Sequence, residues 1–115
     1  MANPQFIYLN FSAGTNSNKE GSAELYVFTD KVASIGIHKN VKESRTYEND
    51  YMAIEISVSL NPDGWIDYVS WVITLKEDNR IIRNNSILYS CTGTSANASE
   101  RLLFDTINGT FTILP

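Results

Sequence analysis

Cysteine and histidine are almost missing from this chain. It holds one of each, Cys91 and His38, among 115 residues, and that scarcity excludes much chemistry. A single thiol cannot close an intrachain disulfide, and within "ILYSCTG" it reads as a small buried hydrophobe near a strand end. A closed zinc site needs several nitrogen or sulfur ligands, more than one His and one Cys can supply. Nothing in the local sequence marks Cys91 and His38 as a nucleophile and its base.

Positive charge is scarce as well. Nine Lys and Arg face 13 Asp and Glu, and only Lys39, Lys42 and Arg45 come near to a cluster. Nucleic acid is therefore not an expected partner, because a phosphate backbone demands a basic footprint. Long apolar runs are absent, so no segment could insert into a membrane. The opening "MANPQFIYLNF" also lacks the basic start and apolar stretch of a secretory signal. A cytoplasmic location is the expectation, although a mature secreted form would read the same way. No phosphate-binding loop or dinucleotide fingerprint occurs. Paired carboxylates for glycoside hydrolysis should stand roughly 5–9.5 Å apart. Glu55 and Asp67, on the favoured strand register below, would lie roughly 13 Å apart at about 3.3 Å per residue. The expectation is a protein that is not an enzyme and needs no cofactor. Calcium asks only for oxygen ligands, and Glu48, Asn49, Asp50, Asp63, Asp78 and Asn79 are loop candidates, but none shows calcium-loop spacing.

What the chain does have is period-two alternation broken by Gly, Asn, Asp and Ser. Candidate strands are 5–12, 22–29, 32–38, 51–60, 65–75, 80–83, 86–92, 101–107 and 110–114. Asp30-Lys31 reads as a tight reversal, Glu77-Asp78-Asn79 as a polar turn, and Asn108-Gly109 as a two-residue hairpin. "SANASERLLF" has room for one helical turn. Residues 13–21 and 39–50 read as polar loops. Together these features predict a single all-β domain over 1–115. Its expected form is an antiparallel β-sandwich of about seven to nine short strands, jelly-roll or Ig-like, with a closed barrel as runner-up.

The stretch "LNPDGWIDYVSW" raises the functional question. Asn61-Pro62-Asp63-Gly64 suits a type I turn followed by a glycine bulge, which pairs Asn61 with Trp65 and Leu60 with Ile66. Continued without interruption, that register puts Ile54 opposite Val72 and Val58 opposite Tyr68 on a core face. Trp65, Asp67 and Trp71 would then share the other face with Glu55, Ser57 and Ser59. A four-residue loop instead sends both tryptophans to the apolar face.

Asn, Ser and Thr number 12, 12 and 9, beside 13 aromatic residues. Short hydroxyl and amide groups with aromatic rings suit sugar hydroxyls and the apolar face of a pyranose. The expectation is a carbohydrate-binding lectin acting as a homo-oligomer. Its candidate contacts are Trp65, Asp67, Trp71 and Tyr68, with Tyr47, Asn49 and Asp50 from the loops. The alternatives are a self-associating assembly subunit of a capsid, appendage or inclusion, and an inhibitor or immunity-type protein with a protein partner.

Overall fold

The computed structural model describes residues 4–88 and 96–115; Cys91 and its expected strand end lie outside them. Nine strands, and no helix among the described residues, follow in order. They are β1 (Phe6–Thr15), β2 (Gly21–Val27), β3 (Asp30–Ile37), β4 (Ser44–Glu48), β5 (Met52–Leu60), β6 (Ile66–Leu75), β7 (Ile81–Leu88), β8 (Ala96–Asp105) and β9 (Thr110–Leu114). They form two antiparallel sheets, ordered β3-β2-β1-β8-β9 and β4-β5-β6-β7. Both sheets keep open edges, so the architecture is the expected sandwich and not the barrel.

Several local expectations need correction. The segments 80–83 and 86–92 are not separate strands, because Ile81–Leu88 runs on continuously beside β6. The polar loop expected over 39–50 contains β4, whose Tyr47 and Arg45 pair with Ile54 and Ile56. Edge strands need bury only one row of side chains, so β4 carries no strong apolar alternation. The expected helical turn is β-structure from Ala96 onward, zipped to β1 along its whole length. The β2–β3 reversal lies at Phe28-Thr29, with Val27 opposite Asp30 and Phe28 at φ 56°. Asn108-Gly109 closes a longer loop, in which Gly109 at φ 65° donates its N–H to the Asp105 carbonyl. The Asp105 carboxylate accepts from the Ile107 and Asn108 amides, which favours this wider turn over a two-residue one.

The β5–β6 hairpin combines features of both expected registers. Asn61 N–H donates to the Trp65 carbonyl at 2.8 Å, Gly64 sits at φ +88°, and Leu60 pairs with Ile66. The three-residue loop is therefore present. Immediately afterwards the register shifts: Ser59 faces Tyr68, Val58 faces Val69, and Ile56 faces Trp71. Asp67 is the extra residue of this bulge. Without it Val69, Trp71, Ile73 and Leu75 would point to solvent. With it they join Met52, Ile54, Ile56 and Val58 in the core. At roughly 25 cal/mol per Å² of apolar surface, burying four large side chains far outweighs one interrupted ladder pair.

Between the sheets, the Trp71 indole stacks on Phe11 of β1, with centroids 4.6 Å apart and an interplanar angle of 10°. Its Nε1–H donates to Glu100 Oε1 at 3.0 Å, so one side chain bridges β6 to β1 and β8. Glu100 is 8% exposed and receives three further donors: Arg83 Nε at 3.2 Å, Arg83 Nη2 at 2.7 Å, and Asn85 Nδ2. Burial alone would raise the Glu100 pKa. The hydrogen bonds from Arg83, Trp71 and Asn85, with the Arg83 charge, outweigh it and hold the carboxyl below its usual range.

A depressed carboxyl pKa gives stability that is present above the unfolded value, about 4.3, and lost as pH falls through the folded one. Arg83→Met should cost about 2 kcal/mol in urea unfolding at pH 7. That lies below the range for a fully buried pair because Arg83 is a quarter exposed. The variant should also lose less stability than the parent chain as pH falls below about 4.3, because its Glu100 carboxyl is held down less strongly. Equal stability and equal acid sensitivity would show that the clamp contributes nothing.

Candidate functional site

The residues expected to form one site are distributed over the molecule. Trp71 is 1% exposed and belongs to the core, not to a ligand surface. Tyr47 packs against the core beside Ile54. Asn49 is a turn former, its Oδ1 accepting from the amides of Tyr51 at 2.8 Å and Met52 at 3.0 Å. Asp50 lines a cleft of about 480 Å³ with Tyr51, Lys76 and Glu77. That cleft lies beyond the start of β5, whereas Trp65 lies beyond its other end. Asp67 occupies the bulge, and Tyr68 stands beside Ser59 on the outer face of the four-stranded sheet. Only Trp65, Asp67 and Tyr68 remain neighbours.

Among the described residues no group of three or more His, Cys, Asp or Glu converges as a metal site. His38 lies 3.6 Å from Glu20.

The outer face of the five-stranded sheet has a different character. Inward-facing Leu9, Phe11, Ala13 and Thr15 of β1 leave Tyr8, Asn10, Ser12 and Gly14 pointing out. Strand pairing then sets two transverse rows. One row holds Ser34, Glu24, Ser12 and Ser99; the next holds Gly36, Ser22, Gly14 and Asn97. Because every floor residue is small, the face dips into a shallow groove of about 350 Å³. Hydroxyls of Ser12, Ser22 and Ser99 line it, with the Glu24 carboxylate on one side and the Asn97 amide on the other. Glu24 is held by Lys31 at 3.2 Å. One step along the strands, Asn10 lies between Tyr26 and Arg101, and its shielded Oδ1 has no hydrogen-bond partner among the described residues.

Compared with protein-family models, with curated proteins and with solved structures, the chain matches none of them. The site's chemistry must therefore be read from its own residues.

A carboxylate, an amide and several hydroxyls on a rigid sheet form an array of alternating donors and acceptors, with no nucleophile–base pair among them. That array suits a ligand with many hydroxyls. Sequence reasoning missed it because the contributing residues come from β1, β2 and β8, far apart in the chain. Period-two reading of 5–12 and 22–29 does place Ser12, Ser22 and Glu24 on outer faces. It does not show that those faces lie side by side.

The hairpin end that carries Trp65 is tightly constrained. Asn40 N–H donates to the Gly64 carbonyl at 2.8 Å, and a Cβ on Gly64 would lie 1.9 Å from Asn40 Oδ1. Gly64→Ala must also adopt φ +88°, which costs about 1–2 kcal/mol for a residue with a Cβ. Urea unfolding of this variant should show that loss together with an altered indole emission. Unchanged stability would contradict the constraint.

Proposed function

We propose that this chain is a non-enzymatic glycan-binding module whose ligand lies in the groove across β2, β1 and β8. The observation that carries this reading is the groove's lining: three serine hydroxyls, one carboxylate and one amide over a glycine and serine floor. A carboxylate accepts from two adjacent sugar hydroxyls, an amide both donates and accepts, and serine hydroxyls turn to suit either need. Building the array on strands keeps these groups in register with one another. A shallow groove of this kind gives weak affinity for one sugar, so repeated presentation by an oligomer multiplies its effect.

The second reading, a self-associating subunit, draws on a different observation. β7 and β9 are open edges, and Ile81 and Ile113 are 59% and 50% exposed. Open, partly apolar edges favour strand-to-strand association.

The test is a glycan array probed with the folded protein, repeated with Ser12→Tyr and Glu24→Gln. Tyrosine suits an outward-facing strand position and fills the groove, and the Glu24–Lys31 pair is surface-exposed enough to be worth at most about 1 kcal/mol. Both variants should stay folded and lose selective glycan binding by about tenfold or more, the loss of one charge-assisted hydrogen bond. A blank array, or binding indifferent to both substitutions, would contradict the groove. Concentration-dependent high-order species abolished by Ile81→Lys would then favour the assembly reading.

A further inference from the structure

Three connections meet at the end of the sandwich beyond β1, β3 and β5, and two of them bring lysines to the third. Lys19 Nζ lies 5.0 Å from the centroid of the Trp65 ring, and Lys39 Nζ lies 5.2 Å from it. The backbone that carries each lysine is braced. The β1–β2 loop is braced by Asn16, whose Oδ1 accepts from the Asn18 and Glu20 amides and whose carbonyl accepts from Lys19. Lys39 precedes Asn40, which is tied to the β5–β6 hairpin through the Gly64 carbonyl. Trp65 is fixed in turn by Asn61, whose Oδ1 takes the Asp63 and Trp65 amides at 3.0 Å each.

The two ammoniums share one aromatic partner. The chain has 13 Asp and Glu against nine Lys and Arg, yet among the described residues neither Lys19 nor Lys39 forms an ion pair with a carboxylate. Glu20, beside Lys19 in sequence, faces His38 instead, and among the described residues Asp63 of the Trp65 hairpin forms no ion pair with either lysine. Two like charges converge on one ring, whose quadrupole attracts both. Such a contact at an exposed site is worth about 0.5–1 kcal/mol. An anion between the ammoniums would relieve their repulsion and replace the weak contact with charge-assisted hydrogen bonds.

We infer that this end is a second binding site, for an acidic saccharide: the lysines take its carboxylate or sulfate and the half-buried indole takes an apolar sugar face. The site is separate from the sheet groove and stands whether or not the groove binds glycan. It shares the β1–β2 loop with the groove's upper row, where Ser22 lies just past Lys19 and Glu20.

Trp fluorescence tests it directly, since Trp71 is sealed in the core and Trp65 is the responsive ring. The probes are a sulfated disaccharide, a uronic-acid disaccharide, their neutral parent and inorganic sulfate, each titrated at low and physiological salt. An acidic disaccharide should change the emission saturably and weaken as salt rises. The neutral parent and inorganic sulfate should bind at least about tenfold more weakly. Lys19→Ala at a partly buried loop position and Lys39→Ala at an exposed one should each cost about tenfold while circular dichroism stays unchanged. Ser12→Tyr, which blocks the groove, should leave this titration intact. The inference is overturned if the acidic disaccharides do not bind, if inorganic sulfate or the neutral parent binds equally well, or if neither lysine matters.

Discussion

The inward position of Trp71 is the constraint on which the rest of the sandwich depends. Its ring lies on Phe11, its N–H is taken by Glu100, and Glu100 is in turn gripped by Arg83 and Asn85. These contacts reach from β6 and β7 to β1 and β8, so a single cluster joins the two sheets at their middle. A buried carboxylate without donors would cost several kcal/mol, whereas four donors convert it into a specific connection. The cluster also sets orientation. With Phe11 turned inward under the indole, Ser12 and Gly14 of the same strand must face outward, where they form the groove floor.

The fold class was legible in the sequence, and so was the turn at Asn61-Pro62-Asp63-Gly64, because both depend on local chemistry. The bulge at Asp67 was not. Continuing the hairpin register puts Trp71 outside, and only competition with the opposite sheet decides otherwise. A bulge needs a residue content to leave the ladder, and Asp67 beside a turn is such a residue, but that fitness appears only once the core is seen. β4 escaped notice for a related reason. "SRTYE" lies at an edge, and its burial pattern is weak because only Tyr47 is more than slightly covered.

The groove was not legible in the sequence. Serine, asparagine and a carboxylate do gather on one surface, but they come from strands paired across eighty residues of sequence. Trp65 keeps its predicted place beside the turn, yet lysines from two other loops stand over it while the expected Trp71 lies in the core. Sequence alternation tells which side of a strand a residue takes; it does not tell which strands become neighbours. The polar faces of this sandwich therefore carry information that single-strand reading cannot reach.

The most direct measurement is amide chemical-shift mapping of the isotopically labelled protein during titration with glycans drawn from the array. The account predicts perturbations centred on Ser12, Gly14, Ser22, Glu24, Asn97 and Ser99, with β7 and β9 silent. Shifts confined to Ile81, Ile82 and Thr110–Leu114, or none at saturating glycan, would contradict it and make the open edges the functional surface.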